Sequence, residues 1–298
     1  LCDWRINLNK LLGLLACSFS AFSGTMGDLN EHFKHYVGLF GGVSGARYSN
    51  ASQSAVAYGY VGQLFPGQNT PTNENYDLYV NVSGQQKFKT GGIAGAHMGL
   101  SMQNSFLISP TFELEGFYLG SQLSGILSNA LLEPAVLKPE GTASASHSIS
   151  AGLHQFNNQF NLNSGFLFAN AKCDLNFLKN TIAMPYIGFG IGLAFNRLSG
   201  ANSDQIAPYN EDVNHFNTST SDMDTVLSGQ LQAGLHKKLF DNFSVFAEYR
   251  YLYVAPTSYT FGNTYYPGYH KDTSKWQLSL SSMNFQVGVF GVNYIFNT

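Results

Sequence analysis

Residues 243–254 read Phe243-Ser-Val-Phe-Ala-Glu-Tyr-Arg-Tyr-Leu-Tyr-Val254. Successive side chains of an extended strand point to opposite faces. Phe243, Val245, Ala247, Tyr249, Tyr251 and Tyr253 therefore share one face, while Ser244, Phe246, Glu248, Arg250 and Leu252 share the other. An aromatic and aliphatic face backed by a face that carries a glutamate and an arginine is the pattern of a wall between lipid and a polar interior. Just before it, across Phe240-Asp-Asn242, the run 226–239 sets Leu231, Ala233 and Leu235 against Gln230, Gln232, Gly234 and His236. The two runs form a hairpin with like faces.

Working outward, period-two alternation predicts eight strands: 36–48, 92–103, 107–121, 159–175, 185–197, 226–239, 243–254 and 277–296. Short links, 104–106, 176–184 and 240–242, alternate with long Ser-, Asn-, Gly-, Thr- and Pro-rich ones near 49–91, 122–158, 198–225 and 255–276. An up-and-down barrel with both ends in the periplasm sorts its connections this way, short turns inside and long loops outside the cell. The expected fold is all-β, an eight-stranded antiparallel up-and-down transmembrane β-barrel over 36–298. The alternating run Tyr76-Asp-Leu-Tyr-Val-Asn-Val82 points to an extra hairpin in the first long connection, outside the membrane.

Composition agrees. Only 11% of the 298 residues are charged, against roughly 25% in an ordinary soluble domain. Near the start, Arg5 and Lys10 precede an apolar run from Leu11 to Phe22 and the small residues Ala21-Phe-Ser23. This predicts a signal peptide over 1–23 and a short periplasmic segment over 24–35. After such cleavage Cys173 stands alone, which excludes an internal disulfide and a cysteine zinc cluster. No later stretch is apolar enough to span as a helix, so a closed barrel is the remaining way across a bilayer. A net charge of -3 leaves no basic patch for nucleic acid.

The polar faces predict a charged lumen. Glu113 and Glu115 lie opposite Phe112 and Leu114; Asn170, Lys172 and Asp174 lie opposite Ala169, Ala171 and Cys173. With Glu248 and Arg250 these form a neutralising network, His97 and His236 nearby, because buried charges are normally paired. Arg47 is expected at a barrel mouth. Gly188, Gly190 and Gly192 have no following helix and read as small lumen-facing residues, not a nucleotide loop. The strand-end aromatics Tyr48, Tyr118, Tyr186, Tyr249, Tyr251, Tyr253, Tyr294 and Phe296 are expected in interfacial girdles.

Three stretches carry a family resemblance: Phe243 to Tyr251, Pro110-Thr-Phe-Glu-Leu-Glu-Gly-Phe-Tyr118, and Val289-Phe-Gly-Val-Asn-Tyr-Ile-Phe296. Over residues 34–298 the chain resembles the OmpA/OmpX-like small outer-membrane barrels. The start Gly24-Thr-Met-Gly27 is similar to some members' mature starts. The resemblance implies that Tyr294 and Phe296 act as a C-terminal signal to the barrel-assembly machinery, although Asn297 and Thr298 follow the aromatic. The anchoring role of the family's two-domain members is not expected to carry over.

Loop residues offer weak chemistry. His147 lies between two serines, His154 follows nearby, and His215 lies near Asp212 and Asp222, but a hydrolase needs nucleophile, base and orienting group to converge. His147 with His154, and Asp222 with Asp224, lack a metal-ligand spacing. The expectation is a non-enzymatic barrel without cofactor or metal. It sits in the bacterial outer membrane among lipid and lipopolysaccharide, its loops meeting surface ligands or host molecules. A narrow solute pore is the alternative, and a rim-located lipid-modifying hydrolase the third reading.

Overall fold

A computed structural model describes residues 33–60, 76–102, 108–129, 134–139, 147–150, 153–176, 182–207, 209–265 and 272–296. The expected export segment, Gly24 to Gly27, Ser146, His270, Asn297 and Thr298 lie outside them. Eight strands build the wall: β1 (Phe33–Ala46), β2 (Gly91–Met102), β3 (Ile108–Ser128), β4 (Gln155–Leu175), β5 (Met184–Ala207), β6 (Asp222–Phe240), β7 (Phe243–Val254) and β8 (Met283–Ile295). Each pairs antiparallel with the next. The last returns to the first, Tyr36 opposite Ile295 and Ala46 opposite Phe285. The ring is closed, so every strand of the wall has a hydrogen-bonded neighbour on both sides.

The long connections differ from expectation, because each carries strand, and the expected last strand, 277–296, is broken at Ser281-Ser282. Ser49–Tyr60 continues β1, Tyr76–Phe88 leads into β2, Thr257–Thr260 continues β7 and Gln277–Leu280 leads into β8. These four pair with one another in the order of the strands they extend. They also keep register: Ala46 faces Phe285 below the break and Ala51 faces Leu280 above it, as Ser44 faces Gly91 and Ser49 faces Gln86. The expected hairpin over 76–89 is thus a continuation of staves one and two, and the ring stays at eight.

At each break, two residues interrupt the ladder: Arg47-Tyr48, Lys89-Thr90, Ala255-Pro256 and Ser281-Ser282. The inward face changes parity there. Phe40 and Ser44 are buried below, Ser49, Ala51 and Gln53 above; Val254 is followed inward by Thr257, and Leu280 by Met283. Shifting the phase by one residue turns every later side chain over, so a reading for unbroken alternation stops at the slip. Pro256, which has no N–H to donate, marks one of the four.

The neighbouring staves do not slip, and each border absorbs the mismatch differently. Between β3 and the second stave, the register moves by one, from Gly92 facing Gly120 to Phe88 facing Leu123. Between β6 and the seventh stave, the ladder gives way to side chains. Asp224 Oδ2 accepts from Ser258 N at 2.8 Å and Asp222 Oδ2 from Thr260 N at 2.6 Å. Both carboxylates stand where backbone carbonyls would otherwise be.

The outer wall carries an apolar belt. Leu39, Val43, Phe112, Ile191, Leu231 and Phe290 are exposed, Ile191 at 72% and Phe112 at 65%. Along β3 the outward positions are Ile108, Pro110, Phe112, Leu114, Gly116 and Tyr118. Ten residue steps of about 3.3 Å, tilted by about 40°, give a belt about 25 Å tall, the height that meets lipid in such barrels. Beyond it polar residues predominate on the outward face, with Asn50, Ser52, Gln122 and Asn161 exposed, although Ile126 is exposed there too. Tyr48, Tyr118, Tyr251 and Tyr253 are exposed near this edge, and Phe243, Tyr294 and Phe296 near the other. Tyr186 does not join either girdle. It turns into the lumen, 6% exposed. A closed, even-numbered, single-chain antiparallel barrel with such a belt is built for the bacterial outer membrane, and the chain is an outer-membrane β-barrel.

Leu39→Arg should therefore cost about 2–4 kcal/mol in urea titrations of the barrel refolded into lipid vesicles. Ser52→Arg, above the belt, should stay within about 0.5 kcal/mol of the parent. Equal costs would mean that the belt is misplaced.

Candidate functional site

Alternation on β3, β4, β6 and β7 aims Glu113, Glu115, Asn170, Lys172, Gln230, Gln232, Glu248 and Arg250 at the barrel axis, all buried. An eight-stranded lumen is about wide enough for side chains to fill, so these groups meet across it. Lys172 Nζ lies 3.0 Å from Glu113 and 3.4 Å from Glu248. The Arg250 guanidinium bonds both Glu115 and Glu248. Asn170 donates to Glu113 at 3.0 Å and to Glu115 at 2.7 Å. Gln230 and Gln232 donate to Glu115 at 3.1 and 3.3 Å. The hydroxyls of Tyr36 and Tyr186 donate to Glu113 and Glu248, each at 2.8 Å.

Three carboxylates thus meet two permanent cations. Neutral donors serve the remaining carboxylate oxygens, and His97 adjoins the cluster, its Nδ1 3.6 Å from Glu113 Oε2 and its Nε2 2.7 Å from Asn293 Oδ1. Backbone without side chains makes the room. A Cβ on Gly190 would strike the Asn170 amide, and one on Gly188 would come within 2.8 Å of Lys172 Cγ.

The network has an open end and a packed end. Toward the end that carries the short turns, it opens into a cavity of about 150 Å³ lined by Lys34, Ser101, Thr111, Asp174, His236 and Asn293. Asp174 belongs to this mouth, 3.2 Å from His236 Nε2, and not to the central cluster. Toward the other end, Arg250 stacks over the Phe40 ring at 4.4 Å. Phe117 and Phe166 stack above it with centroids 4.6 Å apart, and Phe168 adjoins them. Higher still, Gln53 bridges Asn158 and Ser203 at 2.6 and 3.0 Å. Phe156, Phe216, Phe261 and Trp276 close the top, each about 1% exposed or less. Trp276 Nε1 donates to Thr264 Oγ1 at 2.9 Å, which pins this cap.

Among the residues singled out from sequence, Glu113, Glu115, Lys172, Glu248 and Arg250 meet directly. Tyr294 and Phe296 pack edge-on at 5.1 Å on the outer wall of the last strand. Arg47 is exposed at the first break. His215 Nδ1 lies 2.9 Å from Ser203 O and its ring packs on Phe156 and Trp276. Asp222 and Asp224 serve backbone amides. The side chain of His147 lies outside the described ones; His154 is buried and joined through its backbone to Asn129. The sequence does not mark Tyr36 and Tyr186 as network members, because strand one shows no clear polar face and a strand-end tyrosine carries no mark that separates lumen from girdle.

No family model matches the chain, and no curated protein does. Among solved structures, the outer membrane protease OmpT from Escherichia coli is similar at 10% identity, covering 88% of this chain and 97% of its own, with a TM-score of 0.31. The outer membrane protein OprG from Pseudomonas aeruginosa is similar at 11% identity, covering 90% and 98%, with a TM-score of 0.37. The outer membrane protein AlkL matches at 12% identity, 89% and 91%, with a TM-score of 0.26. At these values none of those proteins' roles transfers to this chain.

Removing one partner of a buried charge cluster leaves the others uncompensated. Arg250→Leu should cost about 3–5 kcal/mol in urea titration and weaken the heat-modifiable gel shift. Adding Glu115→Gln should return part of that loss, since the two sites couple directly. An unaffected Arg250→Leu barrel would contradict the network.

Proposed function

We propose that the protein is a closed scaffold of the outer membrane whose extended wall and connections meet molecules outside the cell. The observation that carries this reading is the filled lumen: paired charges, then stacked aromatics, then a capped apolar core occupy its length. Packing of the described side chains across the lumen counts against the pore reading. The staves that run past the belt give the outer connections a rigid base, and binding residues commonly sit on loops held by such a base. The carboxylates of the network are each held by several donors, so the proposal assigns them a structural role and no catalytic step.

The OmpA/OmpX-like resemblance belongs to the same proposal, supported by the eight-stave ring and the exposed aromatic end of β8. So do export by residues 1–23, assembly through Tyr294 and Phe296, and loop partners on host or neighbouring surfaces.

Planar-bilayer recordings test the closed scaffold. Purified, heat-modifiable protein should add no steady single-channel steps above the bare membrane. Reproducible ion-selective steps would replace the scaffold with a pore.

A further inference from the structure

On the outer wall, just past Tyr118, staves two to five form an open groove of about 550 Å³. Lys89, Ser121, Gln122, Asn161, Asn163 and Ser199 line it. The phase slip at Lys89-Thr90 shapes one side. Its floor is glycine: Gly92 faces outward, and a Cβ built there meets nothing within 4 Å.

The lining is already ordered. Lys89 Nζ donates to Gln122 Oε1 at 2.9 Å, Gln122 Nε2 to Asn161 Oδ1 at 3.2 Å, and Asn163 Nδ2 to Ser199 Oγ at 3.3 Å. Ser121 Oγ donates back to Lys89 O at 2.6 Å. These bonds leave two ammonium hydrogens on Lys89 and further amide hydrogens on Gln122, Asn161 and Asn163 for a ligand. No carboxylate lines the groove. Arg197 stands on the same outward face, across the ladder from Asn163. Among the described residues, neither Lys89 nor Arg197 has an ion-pair partner.

We propose that this groove binds the phosphorylated sugar headgroup of an outer-leaflet glycolipid. The inference rests on the outer-membrane reading and names a ligand for it. Position decides the class. The groove begins where the lipid-facing belt ends, on the side of the ring away from the short turns, so its occupant has acyl chains against the belt and a polar head above them. Hydroxyl and amide side chains suit sugar hydroxyls, and cations without carboxylates suit phosphate.

The test uses the full chain refolded into phosphatidylcholine nanodiscs, with bisphosphorylated lipid A as the probe. Native mass spectrometry should show lipid A retained by the parent. Lys89→Glu and Gly92→Leu, the second projecting into the groove from an outward position where a Cβ meets nothing within 4 Å, should each bind at least tenfold more weakly while keeping the heat-modifiable shift. Dephosphorylated lipid A should bind as weakly to the parent. Equal retention by parent and both variants would overturn the site. Displacement of lipid A by millimolar inorganic phosphate would make it a free-anion site and overturn the glycolipid assignment. A parent that inserts but retains no lipid A would sink the inference alone; failure to insert would sink the outer-membrane reading with it.

Discussion

In hydrocarbon no water pairs the backbone, so a sheet that spans it must close on itself. That constraint sets everything else here. Closure with eight staves leaves a lumen about as wide as the side chains that point into it, and those side chains must therefore pack against one another. Polar residues stand on the inward face of the lower staves, and once confined they have to satisfy each other. Glu113, Glu115 and Glu248 are held by Lys172, Arg250, two tyrosines and three amides. Arg250 marks the change of regime, with its edges bonded to carboxylates and its face laid on Phe40. Above it aromatic and aliphatic side chains fill the lumen, with buried polar residues such as Gln53, Asn158 and Ser203 bonded to one another among them.

The second feature follows from a small irregularity repeated four times. Adjacent staves slip phase by one residue together, so pairing among them survives while their faces exchange. The wall continues beyond the belt with a mostly polar exterior and a mixed interior that Trp276, Phe216 and Phe261 close. At the two borders with unslipped staves the mismatch has to be absorbed. One border shifts register, and the other borrows the carboxylates of Asp222 and Asp224. Lys89 and its neighbours shape the groove at the first of these borders.

Strand existence and facing were legible in the sequence because the belt imposes unbroken alternation. β7 spans Phe243–Val254, as the pattern of its residues predicted, and the outward sets on β2 to β6 follow the same rule. Alternation lost the staves at the slips. Ser49, Ala51, Gln53 and Ala55 point inward, yet they are small or polar and leave no apolar stripe to read. The charged pairs of the lumen were legible as a set, since isolated charges inside a barrel are untenable. Their partners were less so. Tyr186 looks like a girdle residue until its opposite face is known, and Asp174, two positions from Lys172, drops to the mouth because its strand is leaving the lumen.

On the proposed reading, a barrel closed in this way separates two tasks: the membrane segment holds itself shut, and the wall outside offers surface. The measurement that tests the closed lumen most directly is thiol accessibility in vesicles, with native cysteines replaced by serine. Ser164→Cys is a near-isosteric change at a fully buried inward position, and Ser101→Cys lies in the mouth. The account predicts that a water-soluble maleimide labels the mouth position and leaves Ser164→Cys unlabelled from either side. Labelling of both at comparable rates would contradict it.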